Sequence, residues 1–69
     1  MKTATLAQVK KGHIFYTAKE YEKYGDTSKY IRIKDEYDAS TKTWYCPRYF
    51  TDALGEGKYL KPSTPVVII

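Results

Sequence analysis

Between Lys29 and Phe50 the chain alternates aromatic and cationic side chains in a pattern that could hold an anionic polymer. A strand's two-residue period puts Tyr30, Arg32 and Lys34 on one side and Ile31 and Ile33 on the other, with Tyr37 joining the isoleucines. In the second run the same period sets Trp44 and Cys46 against the isoleucines and leaves Thr43 and Tyr45 outside. On this parity Tyr30 and Tyr45 offer π-faces to bases, and Arg32, Lys34, Lys42 and Arg48 offer charge to phosphates. Single-strand binders work this way, with stacking contributing about 1–3 kcal/mol per base. The same residue types also suit a protein interface, where Tyr and Arg are common anchors. Strand propensity and cross-strand pairing alone can put rings and cations on a sheet surface too. Asp35, Glu36 and Asp38 lie beside the basic residues and would repel phosphate.

Catalytic groups are sparse. A pairing of the lone His13 with the lone Cys46 would still need a third orienting group and a pocket within 69 residues. A structural zinc site needs about four ligands, more than this pair supplies. Asp35, Glu36 and Asp38 could hold a hard cation. Ordinary turn chemistry, with Asp38 capping a loop, accounts for the same residues. Gly55-Glu56-Gly57 is too short for a phosphate loop and lacks the strand-to-helix setting. The expectation is a non-enzyme with no cofactor and no metal. Cys46, on the inward parity and without a partner for a disulfide, reads as a small buried hydrophobe.

The elements that must position these residues fit one small domain spanning residues 1–69, too short for two cores. The net charge of +4 and a pI near 9.2 favour an anionic partner without reaching the dense basic tracts of strong nucleic-acid binders. Nothing resembles a signal peptide or approaches the ~20 apolar residues of a membrane span. The expectation is therefore an intracellular protein, in a host cytoplasm or packaged in a virion, with no membrane partner.

In chain order, residues 1–4 should be loose. Thr5-Leu6-Ala7-Gln8 matches a capping box and starts a helical or 3₁₀ turn. Residues 13–17 form a short strand with Phe15 inward. Thr17-Ala18-Lys19-Glu20 is a second capping box ahead of Tyr21–Tyr24 and Gly25, which fits either two helical turns with a glycine cap or a polar loop carrying tyrosines. Asp38-Ala39-Ser40-Thr41 is a four-residue hairpin loop. Pro47 cannot donate to a ladder and belongs on an edge or at a bulge, which would turn Tyr49 inward. Residues 51–57 form a loop with room for a helical turn, 58–61 a short strand or extended segment and 62–65 a rigid corner. Val66–Ile69 is a β-branched, buried closing strand. The fold expected is all-β: a small antiparallel meander of five strands curled into an SH3-like barrel, or secondly an OB-like one, with one or two helical turns. Closure would protect the edge of the last strand. Phe15, Ile31, Ile33, Trp44, Cys46, Val66 and Ile68 should share one core.

Leu6-x-x-Val9-x-x-Gly12-x-x-Phe15 resembles the way many SH3-like barrels begin. The pattern Tyr30-Ile31-Arg32, Tyr37-Asp38, Ser40-Thr41-Lys42, Trp44-x-Cys46-x-Arg48-Tyr49, Leu60-Lys61 and Val66-Val67 resembles small β-barrel-like proteins encoded by bacteriophages and mobile elements, over roughly residues 6 to 69. Pro47 and Phe50 depart from that pattern and leave the register after Cys46 open. The resemblance implies a viral or mobile-element source and brings no catalytic residues. Two functions follow as expectations. One is a nucleic-acid-binding barrel, single strands favoured, using Tyr30, Arg32, Lys34, Lys42, Tyr45 and Arg48. The other is a protein-interaction or assembly module, as a virion component, an inhibitor of a host protein or a homo-oligomer.

Overall fold

The apolar run near the end of the chain becomes an inner strand. In the computed structural model, which describes residues 2–50 and 57–69, β7 (Pro65–Ile68) lies between β1 (Lys2–Thr5) and β2 (Ile14–Thr17). With β3 (Arg32–Ile33) beside β2 they make an antiparallel sheet in the order β1-β7-β2-β3. Val66 and Val67 are both buried, on opposite faces, so the run needs no polar alternation. Of the residues expected to be loose, Lys2 to Ala4 instead belong to a strand that covers the outer edge of β7, with Lys2 opposite Ile68 and Thr5 opposite Pro65.

Two apolar clusters replace the single expected core. On one face Leu6, Val9, Phe15, Cys46 and Val66 are buried, with Trp44, Leu60 and Ile68 packed against them. On the other Tyr16, Ile31 and Val67 are buried under the helix α1 (Ala18–Tyr24), which contributes Ala18 and Tyr21. Ile33, expected in the core, is only half-buried. The helical alternative for residues 18–24 is the one realised. Thr17 Oγ1 accepts the Glu20 N–H at 3.2 Å, and Gly25, at φ 76°, donates its N–H to the Tyr21 carbonyl at 2.8 Å. The first capping box also closes: the Thr5 N–H donates to Gln8 Oε1 at 2.9 Å and starts the 3₁₀ turn Leu6–Gln8.

A second antiparallel sheet holds β4 (Tyr37–Asp38), β5 (Thr43–Cys46) and β6 (Lys58–Leu60) in that order. The hairpin forms with four loop residues, 39–42, one position later than expected. Asp38 Oδ1 accepts from the Ser40 N–H at 3.0 Å and hydroxyl at 2.6 Å, and Lys42 takes a positive φ of 56° to close the turn.

The chain between β3 and β4 joins the sheets and carries the main departure from the expected register. Arg32 bridges Arg48, and the Ile33 N–H donates to the Pro47 carbonyl at 3.1 Å. Further on, the Asp35 N–H donates to the Tyr45 carbonyl at 3.1 Å, while the Tyr45 N–H donates to the Glu36 carbonyl at 2.7 Å. Two residues there oppose one, which is a β-bulge. The bulge lies at Asp35–Glu36, not at Pro47, and Pro47 enters the ladder through its carbonyl. A one-residue shift exchanges the faces of a strand. Arg32 and Lys34, expected outside, therefore point inward, and Tyr37 opposes Trp44.

The protein is mostly β, and its described residues form two antiparallel sheets and one α-helix. Among the described residues there are seven short strands instead of five, and the sheets do not close into a barrel. The loop expected over residues 51–57 lies almost wholly outside the described residues. None of the described helices is long and apolar enough to cross a membrane.

Candidate functional site

Two of the six residues expected to face a ligand hold the fold together. Arg32 is 1% exposed. Its Nε donates to Glu20 Oε1 at 3.0 Å, its Nη2 to Glu20 Oε2 at 3.5 Å and its Nη1 to the Cys46 carbonyl at 2.6 Å. The glutamate of the helix capping box is thus the counter-ion of a buried arginine. Arg48 shares it, with Nη2 at 2.7 Å from Glu20 Oε2. Burial pushes the Glu20 carboxyl up; hydrogen bonds from Arg48 and Arg32 outweigh this and hold it down at about 2.

Lys34 is 4% exposed. Its ammonium donates to the Leu6 carbonyl at 2.8 Å and the Val9 carbonyl at 2.6 Å, and lies 4.2 Å from the centre of the Trp44 ring. Burial pushes its pKa down. The carbonyls at the 3₁₀ turn replace the water that a buried ammonium loses. Neither Arg32 nor Lys34 faces outward to a phosphate.

The remaining four are dispersed. Tyr30 stacks on Tyr24 with ring centres 4.0 Å apart and planes 5° from parallel. Arg48 lies 5.0 Å and Lys29 5.9 Å from the Tyr30 ring centre, while Lys23 lies 5.2 Å from that of Tyr24. Tyr30 and Arg48 are therefore together, beside α1. Lys42 stands in the hairpin loop and Tyr45 on the outer face of the three-stranded sheet.

That outer face holds a constellation that the sequence did not single out. Tyr45 pairs across strands with Tyr59, and their rings lie 5.1 Å apart at 49°. A concavity of about 370 Å³ is lined by Glu36, Tyr37, Asp38, Ala39, Tyr45 and Tyr59. A Cβ at Gly57 would overlap the Tyr45 ring, so glycine lets that ring lie where it does. Hydrogen bonds from Ser40 hold the Asp38 carboxyl below its ordinary pKa and keep it ionised. Glu36 approaches Lys11 at 3.7 Å, a weak pair because both side chains are exposed. The face is aromatic and acidic, the opposite sign from the one expected. The alternating Lys58-Tyr59-Leu60 segment was the available signal for Tyr59, but its pairing with Tyr45 is a long-range fact.

Two other cavities differ in character. One, of about 450 Å³, is lined by residues including Val9, Lys10, His13, Ile14 and Tyr49. The other, of about 360 Å³, lies between α1 and β6 and includes Ala18, Lys19, Glu20 and Leu60. Cys46 is fully buried, and burial pushes its thiol up to about 11. Among the described residues no three His, Cys, Asp or Glu side chains come together to hold a metal. Comparison with family models, curated proteins and solved structures finds no match to the chain.

Proposed function

We propose that this domain is a protein-interaction module whose three-stranded sheet takes a basic segment of a partner on its outer face. The observation that carries this is the concavity of about 370 Å³ where Tyr45 and Tyr59 meet Glu36 and Asp38. Half-exposed tyrosines are typical interface anchors. The acidic groups favour cationic partners and disfavour phosphate. The inward position of Arg32 and Lys34 removes two of the cations on which a nucleic-acid face would depend. An open SH3-like arrangement fits the same chain path: β3 and β4 lie along one bent stretch shared by both sheets, β2 pairs with β7, and a short corner joins β6 to β7. On the phage-type reading the partner is a host protein or a virion component.

A second reading rests on a separate observation, the Tyr24–Tyr30 stack flanked by Lys23, Lys29 and Arg48. It would present Tyr24 to a base of single-stranded nucleic acid.

Parallel titrations at low salt with a labelled lysine-rich peptide and a labelled single-stranded oligonucleotide separate the two. The first reading expects peptide binding that Tyr59→Ala weakens. Oligonucleotide binding that weakens with salt and with Lys23→Ala and Lys29→Ala, in the absence of peptide binding, would replace it with the second.

A further inference from the structure

Resting on that reading, we infer that the concavity beside Tyr45 and Tyr59 recognises one ammonium group, a lysine side chain of the partner, in preference to a guanidinium or an apolar side chain. The ring geometry carries the distinction. The two rings are 5.1 Å apart and inclined at 49°, so their planes form a wedge, and both rings border the concavity. A planar guanidinium gains most by lying flat on an aromatic face, and a wedge offers it one ring. An ammonium is a compact charge that meets both ring faces at once.

The charges beside the wedge point the same way. Asp38 is held in place by the Ser40 N–H and hydroxyl, with Thr41 also hydrogen-bonding its carboxylate, so its negative charge is fixed at the rim of the concavity. Glu36 is exposed and already draws an ammonium of its own chain, that of Lys11 at 3.7 Å. That pair is screened by water, so an incoming lysine can displace it. The rings supply the attraction to a cation, the carboxylates supply the sign, and the volume of about 370 Å³ lies at the small end of ligand sites.

The test uses the full chain, isotopically labelled, and three short capped peptides, Gly-Ser-Xaa-Ser-Gly, with Xaa lysine, arginine or norleucine. Amide shifts in a titration report both the site and the affinity. The lysine peptide should move Glu36, Tyr45 and Tyr59 and bind about fivefold more tightly than the norleucine peptide, the worth of an exposed cation–π contact with one screened carboxylate. Glu36→Gln should weaken the lysine peptide and leave the norleucine peptide unchanged. Tyr45→Leu, which removes the π-face, should bring the lysine peptide down toward the norleucine peptide. Equal affinity for lysine and norleucine at this face overturns the ammonium assignment and leaves the interaction reading standing. Arginine binding more tightly than lysine overturns it as well. Shifts caused by an oligonucleotide at Lys23, Tyr24 and Lys29, with no peptide effect at the face, overturn both. Shifts at the face on diluting the free protein would assign it to a second copy of the chain and overturn the ammonium assignment.

Discussion

Replacing Glu20 by Gln removes the only charge on this glutamate that two inward-facing guanidinium groups share. Glu20 accepts from Arg32 at 3.0 and 3.5 Å and from Arg48 at 2.7 Å, and Arg32 is 1% exposed. A glutamine offers one oxygen where there were two and turns an NH₂ group toward a guanidinium. Removing one partner of a buried ion pair costs about 3–5 kcal/mol. The pH route gives a similar figure. The carboxyl sits at about 2 against an ordinary 4.5, and at about 1.4 kcal/mol per pKa unit that difference contributes about 3 kcal/mol. Because the folded pKa is the lower one, this stability is fully present above the unfolded value of 4.5 and is lost as pH falls toward 2. Urea melts followed by Trp44 fluorescence measure it. The gap between wild type and Glu20→Gln should be about 3 kcal/mol at neutral pH and shrink below ~1 kcal/mol near pH 2. A domain of this size has only about 3–10 kcal/mol in all, so outright unfolding of the variant at neutral pH also agrees. A variant within ~1 kcal/mol of wild type at neutral pH, or a gap that persists in acid, refutes the reasoning.

Three further outcomes are expected. Lys34→Ala leaves the Leu6 and Val9 carbonyls without their donor and should cost about 3 kcal/mol in a urea melt, at about 1–3 kcal/mol for each buried unpaired group. Lys34→Met, which keeps apolar contact with Trp44, should cost less. Cys46 should react slowly with a thiol reagent in the native protein and quickly once unfolded, because its thiol is buried and raised to about 11. Gly57→Ala should displace the Tyr45 ring and alter the near-ultraviolet circular dichroism of the Tyr45–Tyr59 pair, with stability changed by under ~1 kcal/mol, since a side-chain end can move aside.

The local signals in the sequence were legible. Thr17, Glu20 and Gly25 marked the caps of a helix while leaving a polar loop equally open, Asp38 and Ser40 marked the hairpin turn to within one residue, and the β-branched end read as a buried strand. What the pattern hid was the parity of residues 30–34. Ile31 and Arg32 are both buried, on opposite faces of one sheet, so alternation of apolar and polar residues does not distinguish inside from outside there. The bulge at Asp35–Glu36 leaves no glycine or proline to mark it. The charge on Arg32 is tolerated inside because Glu20 meets it, and that of Lys34 because the carbonyls of Leu6 and Val9 do. Those partners lie far off in sequence. The same limit applies to the candidate site: Tyr45 was legible as an outward ring, whereas its partner Tyr59 and the acidic rim became one surface only when β6 docked on β5.

The most direct test of the proposed face is paramagnetic relaxation from a lysine-rich peptide carrying a nitroxide next to its central lysine, added to the isotopically labelled protein. If the outer face of the three-stranded sheet is the binding surface, amide signals of Glu36, Asp38, Tyr45 and Tyr59 broaden first and those beside α1 stay sharp. Broadening centred on Lys23, Tyr24 and Lys29, or uniform broadening over the whole chain, would contradict the account.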